Sequence, residues 1–328
     1  MPMKRLALFV LILATAFGCM VREPSSRGRA EGQNPFPACP KRITKSAREF
    51  FPVQLCKKSL SDFQYHELAP GVESASAHFS DLFGKTNDLY IVRIDFKQAE
   101  VEPAIHPRAT SALGQPDGKI RRRTSEVAEE YRALLAVNGG FFTSEKLPCY
   151  IQKVNGKRMP GKGAHGSGLA FTGKEKLFIG PLDEQGLQDY ENYICGDALL
   201  QDGHCSLPGQ RHADDPAPRT LLGLAPGKVL VLLVIDGRQK DVSQGINYWE
   251  ATDLLQWFGC RDGFALDGGG STTLVIREEA LAETPHTLRT TEMDPAAKVM
   301  NSPSDGIERK VIDHFLILDR HSVRPPAP

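Results

Sequence analysis

The chain has 328 residues, 41% of them hydrophobic, with lysine plus arginine matching aspartate plus glutamate at 40 each. That balance excludes the basic excess that nucleic-acid binding uses and the acidic excess typical of disordered chains. The length suits one large domain or two small ones, with enough chain to bury a sizeable core.

Lys4 and Arg5 precede an apolar run over 6–16 that ends in small residues, which reads as a secretory signal too short to span a bilayer. Ala16–Phe17–Gly18–Cys19 resembles a bacterial lipobox, with alanine where leucine is usual. It predicts a signal peptide over 1–18, a lipidated Cys19, and anchoring to the bacterial cell envelope on its periplasmic face or at the cell surface. Residues 19–40, rich in Arg, Ser, Gly and Pro, read as a tether. Residues 41–84 have mixed character and form an N-terminal extension without an assigned structure. Six cysteines remain: Cys39, Cys56, Cys149, Cys195, Cys205 and Cys260. An even number in an exported chain predicts disulfides, with Cys39–Cys56 and Cys195–Cys205 as local pairings and Cys260 among the bonded residues.

Residues 89–96 have the composition of a strand. A helical pattern starts at Thr124 or Ser125, either hydroxyl serving as its cap, and runs through Val127, Ala128, Tyr131 and Leu134 into a strand ending at Asn138. The basic, glycine-rich stretch 156–168 is a loop, and 181–218 shows little periodicity. The run 229–235, bounded by Gly227 and by Asp236–Gly237–Arg238, is the strongest central strand. Residues 249–258 have helical spacing with Gly259 as a stop, and lead into a strand over 264–266. This strand–helix–strand order predicts a crossover unit. Further strands fall over 272–276 and 312–318, and 321–328 is a loose tail.

Between two of these strands lies the stretch GFALDGGGSTTLVI, residues 263–276. Asp267 ends a strand and is followed by Gly268, Gly269 and Gly270, then Ser271. Such a turn leaves no side chains to block a ligand, and its N–H groups can form an anion-binding concavity. A tight turn in which Asp267 caps its own loop is the structural alternative. The pattern recurs in AVNGGFF, as Asn138, Gly139 and Gly140, so two such turns can meet at one pocket. Neither fits a nucleotide signature: GGGST lacks the P-loop lysine, and no G-x-G-x-x-G opens a helix. Asp236 and Arg238 follow the central strand, Arg219 precedes an apolar segment, and Asp305 and Arg309 lie in SPSDGIER before the last strand. Arginine forks suit phosphate or carboxylate. Carboxylates serve where a proton moves or a glycosyl cation forms. Taken singly, each has an ordinary reading as an ion pair or a turn residue.

AVNGGFF, PRTLLG, LVLLVIDGR, the segment from Gly245 to Leu255, FALDGGGSTTL and NSPSDGIERKV stand in the order seen in the phosphodiester glycosidase family, which residues 85–320 resemble. The resemblance implies an α+β fold, with a mixed β-sheet core, packed helices and active-site loops at strand ends. It also implies hydrolysis of a sugar-1-phosphodiester of an envelope or exopolysaccharide glycan. Its motif residues fall on Asn138, Gly139, Gly140, Arg219, Asp236, Arg238, Asp267, Gly268, Gly269, Ser271, Asp305 and Arg309. Arg219 with Arg309 would clamp the phosphate. Asp267 would activate water or stabilise the developing cation, with Asp236 and Asp305 as alternatives, and Asn138 would fix sugar hydroxyls or phosphate oxygens. Two positions depart from the pattern, Ala217 where histidine is common and Ser302 where arginine is common, which points to a different or less charged aglycone. No cofactor is required; a divalent metal on the aspartates stays open, without a histidine-rich ligand set to demand one. Two other readings stay open as well: a non-catalytic glycan-binding envelope lipoprotein, and a metal-dependent phosphodiesterase that cleaves P–O bonds. The expected partners are a glycan substrate and, through the lipid, the membrane, with no nucleic acid.

Overall fold

A computed structural model describes residues 63–106, 121–207, 213–281 and 297–325. The expected signal peptide, Cys19, the tether and the Cys39–Cys56 pairing lie outside the described residues. The strands are β1 (His66–Ala69), β2 (Val72–Leu82), β3 (Lys85–Asp95), β4 (Glu102–His106), β5 (Leu135–Asn138), β6 (Lys153–Val154), β7 (Lys157–Arg158), β8 (Ser167–Thr172), β9 (Lys176–Gly180), β10 (Asn192–Gln201), β11 (His204–Cys205), β12 (Arg219–Ala225), β13 (Val229–Ile235), β14 (Asp262–Ala265), β15 (Leu274–Arg277), β16 (Ala297–Val299) and β17 (His314–Leu318). Two α-helices are described, α1 (Thr124–Glu130) and α2 (Tyr248–Trp257). A 12-stranded sheet runs β1-β2-β3-β13-β12-β14-β10-β6-β7, with β8, β9 and β11 attached at β10; a five-stranded sheet runs β16-β15-β5-β17-β4.

Every ladder between these strands is antiparallel. The molecule is therefore mostly β, built on two antiparallel sheets, and the expected α+β fold with a mixed sheet and packed helices is corrected. The expectation came with the family resemblance and with the strand–helix–strand order around α2, neither of which fixes the direction of the other strands. β13 is buried on both faces because the sheets are stacked and each also carries a helix. Alternation along a strand shows this directly. Leu230, Leu232 and Val234 of β13 join the core between the sheets, against Val137, Leu274 and Phe315 of the small sheet. Val231, Leu233 and Ile235 point the other way, onto Ala251, Leu254, Leu255 and Phe258 of and after α2. On the far side of the small sheet, Ala136, Val275 and Leu316 meet Val127 and Ala128 of α1. The layer order is α2, large sheet, small sheet, α1. Each fully buried leucine or phenylalanine here contributes about 1.5–3 kcal/mol relative to exposure.

The crossover from β13 through α2 to β14 is present, and it passes over β12, which pairs antiparallel with both strands. Gly259 ends the helix at φ +80°, a conformation that costs glycine nothing. α1 is shorter than its pattern suggested, and neither hydroxyl caps it by itself. Glu308 instead accepts the Ser125 N–H at 2.8 Å and its hydroxyl at 2.5 Å, tying the helix start to the segment that carries Arg309. β1 and β2 form an edge of the large sheet, in a stretch the sequence left unassigned. Their pairing is local, in a β1-β2-β3 meander, but their burial is set by distant residues such as Trp257 and Phe258.

The disulfide expectations are corrected for the described cysteines. Cys149, Cys195, Cys205 and Cys260 all carry free thiols. Cys205 pairs with Leu200, so Cys195 sits five residues further along β10, about 17 Å at strand rise. That is far beyond the reach of a disulfide. Cys260 is buried with its Sγ against Gly223.

α2 also buries an unpaired acid. Asp253 is inaccessible, and neither carboxylate oxygen has a hydrogen-bond partner. Burial, helped by the charge of Glu250, pushes its carboxyl up to about 7. The folded state thus holds a proton that the unfolded state loses near pH 4, so stability falls as pH rises from about 4 through about 7. Asp253→Asn is expected to be close to neutral near pH 4 and to stabilise by roughly 2–4 kcal/mol at pH 8. Denaturant melts at the two pH values check it; equal effects at both would contradict it.

Candidate active site

The ends of β5, β13 and β14 and the starts of β12, β15 and β17 meet at one end of the stacked sheets. Asp267 follows β14 and stands at their centre. Its Oδ1 accepts the Gly268 N–H at 2.9 Å and its Oδ2 accepts the Ser271 hydroxyl at 2.7 Å, while its own N–H donates to Gly139 O at 3.1 Å. The residue remains partly exposed. Desolvation pushes its carboxyl up to about 6; the two hydrogen bonds and the charge of Arg309 act against this, and Asp197 adds to it.

The glycine triplet beside Asp267 lies under three guanidinium groups. A Cβ at Gly268 would sit 2.7 Å from Pro218 O and 3.8 Å from Arg219 Nη1, one at Gly269 2.9 Å from Arg238 Nη1, and one at Gly270 2.1 Å from Asp305 Oδ2 and 2.2 Å from its partner Arg309 Nη2. Side chains at the last two positions would displace the arginines, and Gly269 at φ +60° is in a region that L-residues avoid. Arg219 is buried. Its Nε donates to Ile246 O at 3.0 Å and its Nη2 to Asp215 O at 2.6 Å, and its guanidinium stacks on the Tyr248 ring at 4.2 Å. Arg238 is exposed and holds φ +61°, a strained conformation for a non-glycine residue of the sort that collects at functional sites. Arg309 pairs with Asp305 at 2.6 Å.

The other expected residues play supporting parts. Asn138 is fully buried. Its amide donates to Asp267 O at 2.7 Å and Gly139 O at 3.2 Å, and its oxygen accepts from the Thr220 hydroxyl at 2.8 Å and the Thr273 N–H at 3.2 Å. All its hydrogen-bonding capacity is thus used within the protein, and it fastens the two glycine turns together. Asp236 is buried as well, accepting from Asn301 Nδ2 at 2.9 Å and the Ser302 N–H at 2.8 Å. Burial outweighs these donors and raises its carboxyl to about 7. It latches the start of the 301–309 segment through Asn301 and Ser302. Asp305 serves Arg309. Gly139 and Gly140 permit close approaches: a Cβ on Gly139 would collide with Asp313, and one on Gly140 would come within 2.8 Å of Cys195 O. Among the described residues no group of three or more histidine, cysteine, aspartate or glutamate side chains is placed to hold a metal ion.

The sequence model of the phosphodiester glycosidase family matches residues 131–318, more than half of the chain. The chain belongs to the phosphodiester glycosidase family. It is 28% identical over 188 residues to N-acetylglucosamine-1-phosphodiester alpha-N-acetylglucosaminidase of Bos taurus, covering 50% of this chain and 35% of that protein. The match to the Homo sapiens protein of the same name is 27% over 201 residues, covering 53% and 39%. The chain thus spans well under half the length of these relatives. In fold it is similar to the solved catalytic domain of the zebrafish protein of that name, with a TM-score of 0.58 and 20% identity over 86% of this chain and 95% of that one.

The site of this family member also holds residues that the sequence reading passed over. Asp313, directly before β17, is buried with Gln152 Nε2 donating to its Oδ2 at 2.6 Å and its Oδ1 unpartnered. Burial, with the nearby Asp267 charge adding, raises its carboxyl to about 7. Its carbonyl accepts the Gly139 N–H at 2.9 Å, so it props the first glycine turn. Asp197 of β10 accepts hydrogen bonds from the Tyr150 hydroxyl and, at 2.6 Å, from the Tyr248 hydroxyl. An Asp–His pair inside the otherwise apolar run VIDHFLIL was the available signal for Asp313. A cavity of about 450 Å³ beneath Arg132, Arg277 and Asp319 lies at the opposite ends of β5, β15 and β17 and includes none of these groups.

Proposed function

We propose that the protein hydrolyses an α-linked sugar-1-phosphodiester at the anomeric C–O bond, releasing the sugar and a phosphomonoester. The observation that carries this reading is the placing of three guanidinium groups over three consecutive glycines beside one partly exposed, doubly anchored carboxylate. Planar arginine forks match the non-bridging oxygens of a phosphodiester and stabilise the charge that grows on the leaving phosphate. A phosphomonoester leaves readily, so a strong general acid is not needed. Asp267 supplies what remains: a carboxylate that takes a proton from the attacking water or stabilises the cation forming at C1. With its carboxyl near 6, it is mostly ionised at neutral pH and still basic enough to accept that proton.

The test is release of free sugar from a panel of α-hexose and α-N-acetylhexosamine 1-phosphodiesters, with and without chelator. No release from any member would contradict the reading. Because Asp267 must be ionised, kcat/KM is expected to fall about tenfold per pH unit below about 6. A profile flat down to pH 4 would show that Asp267 is not the titrating base.

The lipobox-like Ala16–Cys19 supports placing this activity at the bacterial cell envelope on a lipidated Cys19, acting on an envelope or exopolysaccharide glycan. Mass spectrometry of the native N-terminus should find a diacylated or triacylated Cys19; an unmodified cysteine or a different start would overturn this placement.

A further inference from the structure

We infer that Asp197 is the specificity-determining residue for the sugar, accepting a hydroxyl or amide hydrogen of the ring bound between it and Asp267. The inference rests on the reading of the site as one for sugar phosphates. The arginines fix where phosphate goes: over Gly268, Gly269 and Gly270. The anomeric carbon must lie at Asp267, so the sugar ring extends from there over the neighbouring groups: Asp197, whose charge reaches Asp267, Tyr150, which is hydrogen-bonded to Asp197, and Gly140, packed against Cys195 O. Tyr248 links Asp197 to Arg219, which stacks on its ring.

Asp197 is positioned for contact with a neutral polar ligand. It pairs with Ala265 in the β10–β14 ladder, two residues before Asp267. Gly196 makes this possible, since a Cβ there would lie 1.9 Å from Ala265 O. Asp197 is partly exposed. One oxygen accepts the Tyr150 hydroxyl and the other the Tyr248 hydroxyl at 2.6 Å. A carboxylate has about four acceptor positions, so each oxygen keeps one for a ligand. The two phenols lock its plane, which removes the entropy cost of ordering it on binding. The Tyr150 hydroxyl, having donated to Asp197, can still accept from a second sugar hydroxyl. Phe141 meets the Tyr150 ring edge-on at 6.0 Å, giving an apolar surface next to the polar pair.

The experiment is calorimetric titration of the full chain with α-hexose 1-phosphates and, separately, with inorganic phosphate. Asp197→Asn is expected to weaken the sugar phosphates by about tenfold, the loss of one hydrogen bond to a charged acceptor, and to leave inorganic phosphate within about twofold. Tyr150→Phe keeps the ring and the Tyr248 bond, and should weaken the sugar phosphates about threefold; it decides the matter if the Asp197 variant does not fold. Parallel loss of phosphate and sugar phosphates would mean that Asp197 acts only through Tyr248 on Arg219, and would overturn the inference, as would no change in either. A wild type that binds sugar phosphates but turns over no diester would refute the hydrolytic reading while the Asp197 comparison still stands; binding of neither ligand would overturn both.

Discussion

Asp267→Asn is expected to lower turnover of a sugar-1-phosphodiester by about 10²–10⁴-fold while leaving phosphate binding nearly unchanged. The substitution keeps the shape of the side chain. An amide oxygen can still accept the Gly268 N–H, and the amide N–H can donate to the Ser271 oxygen, so both present contacts have a replacement. The fold has no need of the charge: burial disfavours it, as the raised carboxyl shows. Thermal stability should therefore hold or rise. A role confined to capping the glycine turn would leave turnover intact, and measured kcat within about threefold of wild type would remove Asp267 from the mechanism.

Arg219→Ala should cost about 10²–10³-fold in kcat/KM, with part of the loss in affinity, since Arg219 holds phosphate in both the ground and the transition state. Arg219 is pre-organised by two carbonyls and the Tyr248 ring, so little ordering is needed when the ligand arrives. Removing it also leaves those carbonyls without their donor, and some loss of stability accompanies the loss of function. Arg219→Lys separates the two effects. It restores a charge without the planar fork or the stack, so it should recover stability more than activity. Full recovery of activity by lysine would show that charge alone matters at this position.

The parts of this site that were legible in the sequence are those fixed by local chemistry. Asp267 with three glycines after an apolar run, Asn138 with two, and the arginines near strand ends all stand out because their neighbours are locally diagnostic. The central strand β13 was read to the residue, Val229–Ile235, since both ends carry turn signals. What was illegible depends on partners far along the chain. Asp197 lies on β10 and Asp313 directly before β17; the pairing of β10 with the distant β14 brings the first beside Asp267, and the stacking of the two sheets brings the second. Asn138 and Asp236 looked like ligand groups because both are polar at strand ends; the structure turns them inward onto Thr220 and Asn301. The sheet type came with the family resemblance, and the order of motifs along the chain says nothing about the direction in which distant strands pair.

The central claim is cleavage at carbon and not at phosphorus, and the position of the solvent oxygen decides it. The diester is hydrolysed in oxygen-18 water and the released phosphomonoester is analysed by mass spectrometry, because its P–O oxygens do not exchange with water on the time of the assay. Attack at the anomeric carbon, with the phosphate leaving from its arginine cradle, predicts an unlabelled phosphomonoester. One oxygen-18 atom in the phosphomonoester would mean that water attacked phosphorus, and would contradict the assignment of Asp267 to the anomeric centre.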